Sequence, residues 1–459
     1  MKLIKNQEMT LEVADMNHLG FGVAKPDGFA VFVGGAVTGD KVRAKIIKVN
    51  KSYAVARTEE ILVPSPMRVD RGCPSVTCTA CVYKNISYEY EKTSKRNNVV
   101  QAFRKAGLSD VPIGDLLSTG QVTRYRNKAQ FPVARGKDGR YIIGFYAPKS
   151  HRVCEAAACP LQPTVFRDIV EVIRAFLEEH RIPAYDEESG DGWIRHIYLR
   201  RGEVTGEILL TLVVTSDRFA DETDFVRRIT ETFPAVVGIL LNIQKENTNV
   251  VLGKTYRTLY GKDSLTDILA GVRLKLTAPA FYQVNHAAAE LLYRKAAELA
   301  APQKSETLLD LYCGAGSIGL SMAHAAGKII GIEIVESAVR CAKENAAESG
   351  ITNAEFFTGD AVDTEKLLSD AERLLGQSIR PDIVVLDPPR AGCDEKLLTF
   401  VAGLSPSRIV YISCNPETLA RDAAVLKTHG YICGTVTPVD LFPGTGHVET
   451  IVLLQNRNM

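Results

Sequence analysis

Arg408-Ile-Val-Tyr-Ile-Ser-Cys-Asn-Pro416 is an apolar run rich in β-branched residues that stops at a cysteine set between Ser413 and Asn415-Pro416. Such a run predicts a buried parallel strand that delivers Cys414 to its carboxyl end, the edge at which open α/β sheets bind ligands. A lone cysteine there is ordinarily a small buried apolar residue. Two further strand ends change that reading. Asp382-Ile-Val-Val-Leu-Asp-Pro-Pro-Arg390 places Asp387 at the same kind of edge, and Thr307-Leu-Leu-Asp-Leu-Tyr-Cys-Gly-Ala-Gly316 opens into a glycine loop. Three strand ends bearing useful chemistry in one carboxy-terminal third predict a site.

Around these ends the chain alternates strand and helix. Strands are predicted over 308–311, 329–334, 355–357, 383–386 and 409–413, with helices after Ser317, Glu336 and Glu417. That alternation predicts a doubly wound, mostly parallel sheet, closed at one end by a hairpin of 431–439 with 448–454. Gly314-Ala-Gly316-Ser-Ile-Gly319 satisfies the dinucleotide fingerprint, with Glu333 placed to hold ribose hydroxyls. Alone it fits an NAD-linked oxidoreductase as well as any enzyme with a nucleoside cofactor. Asp360 after the next strand, then Asp387-Pro-Pro, favour S-adenosylmethionine, because a nicotinamide enzyme gives Cys414 and Asp387 no evident work.

At 459 residues the chain is too long for one core. With 46% hydrophobic and 24% charged residues it has the balance of an ordinary globular protein, and no apolar run is long enough to span a membrane. Its start lacks the apolar region of a signal peptide, so the cytoplasm is the expected compartment. A formal net charge of +1 does not announce a nucleic-acid binder, so any such role must rest on local basic patches.

Residues 1–62 read as short strands broken by glycine turns, a small β-barrel, in which Lys41, Arg43 and Lys45 share one strand face. That face is either a solvated polar surface or a phosphate-binding one. After Pro64 and Pro66 come Cys73, Cys78 and Cys81, close enough in sequence to converge on one centre, with Cys159 or Cys154 as the fourth ligand. Cysteine-only ligation suits an iron–sulfur cluster or structural zinc, and the three-plus-one layout leans toward the cluster. A polar-faced helix is predicted from Ile86 to its stop at Gly107. Arg124, Arg126 and Lys128, interleaved with Tyr125 and followed by Phe131, form either a phosphate-holding strand with rings for base stacking or a protected edge strand. A helix over 164–180 and a hairpin of 193–201 with 207–215 complete a mixed α+β middle region, with Arg195, His196 and Arg201 read as surface.

Phe281-Tyr-Gln-Val-Asn285, Asp310-Leu-Tyr-Cys-Gly-Ala-Gly316, Asp387-Pro-Pro-Arg390, Ser413-Cys-Asn-Pro416 and His447-Val-Glu-Thr450 together resemble the motifs of the uracil-C5 RNA methyltransferase family, whose bacterial members make 5-methyluridine in ribosomal or transfer RNA. The resemblance covers nearly the whole chain. It implies a TRAM-like RNA-binding barrel at 1–62, a central domain at 63–275 with the cysteines and an RNA-binding surface, and a Rossmann-like S-adenosylmethionine-dependent methyltransferase domain at 276–459. Gln283, Tyr312, Ser317, Glu333, Asp360 and Asp387 would bind the cofactor, Cys414 would be the nucleophile and Glu449 the base. Cys73, Cys78, Cys81 and Cys159 would hold a 4Fe-4S cluster, although Thr79-Ala80 stand where the family usually has two glycines. Arg124, Arg126, Lys128 and Arg390 would meet the RNA. Ribosomal RNA, 23S in particular, is favoured over transfer RNA because the cysteines and the barrel resemble the ribosomal members, and the expected enzyme is a monomer. A thiol is only partly ionised near neutrality, so surroundings that favour the thiolate are expected at Cys414.

Overall fold

The computed structural model describes residues 3–75, 78, 80–147, 150–363, 367–369, 372–373 and 378–457. Its amino-terminal sheet has six strands in the order Glu8–Glu12, Lys41–Val49, Tyr53–Val63, Ala30–Gly34, Gly22–Ala24, Asp15–Met16. Alternation along these strands sends Leu11, Val31, Val33, Val42, Ala44, Ile46, Ala54 and Ala56 into one core. The cations on the outer face have carboxylate partners from neighbouring strands: Lys41 pairs with Glu12 at 3.2 Å, and Arg43 with Glu8 at 3.1 Å and Glu60 at 2.8 Å. At those two positions the solvated reading of this face is the one observed.

The middle sheet runs Thr255–Gly261, Val236–Ile243, Ile208–Val214, Ile194–Arg201, Lys128–Arg135, Tyr141–Tyr146, Val153–Glu155. Helix Thr164–Glu179 covers it with Phe166, Ile169, Val170, Ile173, Phe176 and Leu177, a helical stripe of fully buried side chains worth about 1.5–3 kcal/mol each. Two expectations fail here. Tyr125 and Phe131 offer no ring to a base: both are buried, and the Tyr125 hydroxyl donates to the Pro443 carbonyl at 2.9 Å. The strand begins only at Lys128, so within it Phe131 takes the face opposite Lys128, while ahead of it Arg124 sits in a bend with φ of 54° and Tyr125 is buried outside any strand alternation. Nor are Arg195 and His196 on the surface. Both are buried, as is Arg200. Arg195 lies over the Tyr185 ring at 4.2 Å and donates to the carbonyls of Gln244 and Glu246, while Arg200 donates to those of Thr277 and Ala280.

The carboxy-terminal sheet has the order Ala354–Thr358, Lys328–Glu333, Thr307–Leu311, Ile383–Leu386, Arg408–Ser413, Glu449–Asn456, Tyr431–Cys433, with Thr437–Val439 also on the penultimate strand of that row. The first five are parallel. Connections leave Thr307–Leu311 toward both sides, which makes its carboxyl end the switch point of the sheet. The closing hairpin lies at one end of the sheet as expected: Tyr431–Cys433 and Thr437–Val439 pair antiparallel with Glu449–Asn456, which in turn pairs antiparallel with Arg408–Ser413. Ile451 is buried in one core and Val452 and Leu454 in the other, as a strand covered on both faces requires. Helix Tyr88–Lys105, capped by Ser87, packs Val99 and Phe103 against Leu419 and Ala423 of helix Pro416–Thr428 on this sheet. No helix among the described residues is long and apolar enough to cross a membrane.

Candidate active site

Cys414 follows the strand Arg408–Ser413 directly, and the turn that presents it is fixed by local chemistry. Asn415 caps the next helix by accepting from Glu417 N at 3.0 Å, and Pro416 takes the first helical position, where its missing N–H costs nothing. The Asn415 amide also donates to the Arg390 carbonyl at 3.1 Å, tying this turn to the Asp387-Pro-Pro-Arg390 loop. On the other side, Ser413 pairs with Thr450, and Thr450 Oγ1 donates to the Ser413 carbonyl at 3.0 Å. One residue further on, Cys414 and Glu449 become neighbours across the strand pair.

Burial governs the proton affinities here. It pushes the Glu449 carboxyl up to about 8, with Asp387 adding to the rise and Arg390 opposing it, and pushes Asp387 itself up to about 7. Burial also raises the Cys414 thiol, Glu449 raises it further, and the Arg390 guanidinium pulls it down both by charge and by a hydrogen bond. The expectation of surroundings that favour the thiolate therefore fails for the protein alone. Two carboxyls flank the sulfur, and one cation faces them.

The glycine loop is held from beneath. Tyr312, Gly314 and Gly316 all take positive φ (64°, 54° and 79°), and a Cβ on Gly316 would lie 2.9 Å from the Phe356 ring. Glu333 accepts from Gly314 N at 3.1 Å and from Val335 N at 2.9 Å, so its carboxylate fixes the loop while facing the cleft. Ser317 opens the helix Ser317–Ser321 and shares a 2.8 Å hydrogen bond with the Tyr293 hydroxyl. The Gln283 carbonyl accepts from Asn127 at 2.9 Å, and Asp360 is exposed after the strand Ala354–Thr358. Beneath the loop, Asp310 accepts from Gly319 N at 2.9 Å, and burial pushes its carboxyl up to about 7.

Cys414, Glu449, Asp387, Gln283, Tyr312, Gly314, Ser317, Glu333 and Asp360 line one cleft of about 1300 Å³. Cys73, Cys78, Cys81 and Cys159 line it too, together with Arg126 and Lys128. Cys159, not Cys154, shares the cleft with the other three, and its charge is among those that, after burial, raise the Cys81 thiol to about 12. Cys154 is buried in the strand Val153–Glu155. Among the described residues no three His, Cys, Asp or Glu side chains come close enough to hold a single metal ion. Lys128 is half-buried, and burial with Arg200 and Arg126 nearby lowers its ammonium to about 8. Arg390 lines the cleft beside Cys414, whereas Arg124 is exposed off it.

Tyr293 and the chain of buried charges Arg71, Glu91, Lys95 and Asp440 were not legible as parts of this region. Glu91 and Lys95 stand four apart on a helix, a spacing that ordinarily marks a solvated surface pair.

Comparison with known proteins agrees with this geometry. Residues 116–457 match the model of the tRNA (uracil-5-)-methyltransferase family, and residues 2–58 match that of the TRAM domain. An "uncharacterized RNA methyltransferase" of Clostridium tetani is 38% identical over 451 residues, covering 98% of this chain and 96% of its own. One of Bacillus cereus is 37% identical over 452 residues, covering 98% and 97%. Among solved structures, the Pyrococcus abyssi tRNA (uracil-54, C5)-methyltransferase in complex with S-adenosyl-L-homocysteine superposes with a TM-score of 0.79 at 26% identity, over 97% of this chain and all of that one. With a thiol and a carboxyl on paired strand ends in a cleft that the glycine loop also lines, and with matches over nearly its full length, the chain belongs to the tRNA (uracil-5-)-methyltransferase family.

Proposed function

We propose that this enzyme methylates C5 of a uridine in RNA through a covalent bond between Cys414 and C6 of the base. The observation that carries the reading is the adjacency of Cys414 and Glu449 on paired strand ends, inside the cleft that the glycine loop opens. S-adenosylmethionine, when bound, supplies an electrophilic methyl group on a sulfonium. Gly314, whose added Cβ would meet nothing within 4 Å, leaves room for it, and Gln283, Tyr312, Ser317, Glu333, Asp360 and Asp387 are the side chains placed to hold it.

Each residue's work follows from why the reaction is hard. C5 of uracil is a weak carbon nucleophile. Addition of the Cys414 sulfur to C6 moves the ring's electron pair toward C5, which then takes the methyl group. The adduct still carries a proton on C5. Glu449 removes it, the C5–H pair becomes the C5–C6 double bond, and the C6–S bond breaks to return Cys414 as thiolate. Arg390 stands where it steadies the thiolate, and the target base must leave its stack for C6 to be reached. The dinucleotide reading of the glycine loop gives neither Cys414 nor Glu449 a role.

Ribosomal RNA, 23S, is the proposed substrate, on the likeness of the cysteine segment and barrel to ribosomal members of the family. Transfer RNA is the second reading, supported by the full-length likeness to the Pyrococcus tRNA enzyme. Mass mapping of 5-methyluridine in both RNAs, from cells lacking and regaining this gene, separates the two: methylation that returns only in 23S RNA supports the first, and only in tRNA the second. If neither changes, the reading fails.

Cys73, Cys78, Cys81 and Cys159 are proposed to ligate an iron–sulfur cluster of the 4Fe-4S kind. Support comes from four cysteines that line one cleft, three of which lie near enough to raise the thiol of the fourth, Cys81. Protein purified without oxygen should be brown, with four irons and four sulfides per chain as such a cluster requires. Colourless protein with stoichiometric zinc would sink the proposal. Arg124, Arg126, Lys128 and Arg390 are proposed to hold RNA phosphates. Lys128→Ala should weaken binding across sequences and lower the slope of log K against log salt by about one unit, and an unchanged slope would remove Lys128 from the interface.

A further inference from the structure

Residues 440–447 form the loop that leads into Glu449, and nearly every turn of its backbone is gripped by a different part of the molecule. Asn285, two residues from Gln283, donates to the Leu441 carbonyl at 3.1 Å. Lys95 donates to the Phe442 carbonyl at 3.1 Å, and Tyr125 to that of Pro443 at 2.9 Å. Gly444 N donates to Glu91 Oε1 at 2.6 Å, and Tyr83 N to the Gly444 carbonyl at 2.9 Å. A Cβ on Gly444 would stand 3.7 Å from the Cys81 sulfur. The amino-terminal sheet reaches the loop too: a Cβ on Gly446 would lie 2.1 Å from the His18 carbonyl oxygen. The Gln283–Asn285 segment, the basic run, the cysteine segment and the barrel therefore all meet on the loop that leads into the strand of the base.

At the centre of this junction is a chain of buried charges. Lys95 Nζ lies 2.8 Å from Glu91 Oε1 and 2.8 Å from Asp440 Oδ1, with all three side chains fully buried, and Arg71 pairs with Glu91 Oε2 at 2.8 Å. Two cations and two carboxylates balance. Tyr88 donates to the second Asp440 oxygen at 2.9 Å. Buried ion pairs add little to stability over well-packed apolar residues of the same volume, and their best-attested use is to fix one geometry. Here the geometry fixed is that of residues 440–447, because Lys95 holds both the Asp440 carboxylate and the Phe442 carbonyl.

We propose that Lys95, paired with Asp440, is a positioning residue for the proton-removal step: it holds the 440–447 loop so that Glu449 faces C5 of the adduct. The proposal rests on Glu449 being the base. It makes a distinction that plain loss of packing would not, since a misplaced base slows release of Cys414 from the methylated adduct while leaving formation of that adduct alone.

The double variant Lys95→Met with Asp440→Asn keeps the buried charges balanced as Arg71 and Glu91, and thermal melting confirms that it folds. With ordinary RNA and methyl-labelled cofactor, a denaturing gel should show methylated protein–RNA adduct accumulating, as release slows by up to about a hundredfold for a base displaced by about 1 Å. Cofactor affinity should stay at the wild-type value. Glu449→Gln is run beside it. A band in Glu449→Gln but none in the double variant overturns the positioning role alone, as does a double variant in which adduct formation and release slow together. No band in Glu449→Gln overturns the base assignment and this inference with it. Lys95→Met alone, which leaves two buried carboxylates facing one cation, should show the same band if it folds.

Discussion

Cys414→Ala should lose methyl transfer by a factor of roughly 10⁴ or more while still binding cofactor and RNA, and Glu449→Gln should transfer the methyl group once and then stall. The two side chains are neighbours across the Ser413–Thr450 pair, yet the proposed mechanism sets them on opposite sides of the covalent intermediate. Without the sulfur no bond to C6 forms, so even 5-fluorouridine RNA, whose C5 fluorine cannot leave as a proton, gives no adduct. Without the carboxylate the C5 proton stays and elimination is blocked, with the loss of a positioned base costing about 10²–10⁴ in that step. A denaturing gel with methyl-labelled cofactor should show a retarded protein–RNA band for Glu449→Gln and none for Cys414→Ala. Full turnover by Cys414→Ala would remove the nucleophile assignment, and normal turnover by Glu449→Gln without a trapped band would transfer the base role to another group.

Release of the adduct should speed up with pH through the range below about 8. Burial and the Asp387 carboxyl raise Glu449 from its ordinary 4.5 to about 8, so at neutral pH it is mostly protonated, and only the ionised form accepts a proton. Each unit of pH below that value should therefore slow release about tenfold. Single-turnover decay of preformed adduct between pH 6 and pH 9, conditions chosen to bracket the value, measures this directly, and a flat profile would mean that Glu449 is ionised throughout. The same shift has a consequence for stability. A carboxyl whose folded pKa is raised favours the protonated fold, so its contribution is fully present below the unfolded value near 4.5 and is lost as pH climbs through about 8. Glu449→Gln should accordingly lose less thermal stability than the parent on going from pH 5 to pH 9.

Much of the catalytic sheet was legible because buried parallel strands announce themselves as apolar runs and end where chemistry is possible. Cys414, Asp387 and the glycine loop were each found in that way. The order of strands within the closing hairpin was not, because strand order is a long-range property, although Ile451, Val452 and Leu454 without polar alternation already marked a strand covered on both faces. In the basic run the chain is not yet a strand: Arg124 turns through a left-handed bend, the strand starts at Lys128, and Tyr125 closes onto Pro443, which an alternating pattern of cations does not state. Arg195, His196 and Arg200 looked like surface because nothing local shows that their strand is roofed by other parts of the chain. The family's glycine-loop, Asp-Pro-Pro and Ser-Cys-Asn-Pro motifs lie along strand ends and could be read in order. The gathering of four cysteines at the same cleft depends on how two segments some eighty residues apart fold back on one another, which spacing alone does not state.

The carbonyl of His18 occupies the space that any side chain at position 446 would need. The barrel is thus not an adaptor strung beside the enzyme but a constraint on which residues the catalytic loop is allowed to carry. Among relatives, chains that keep a docked barrel should be held to glycine at that position, whereas a lineage that has shed its barrel is free to drift there. The gain or loss of an entire domain should then be readable in the variability of a single residue more than four hundred positions beyond His18 in the chain.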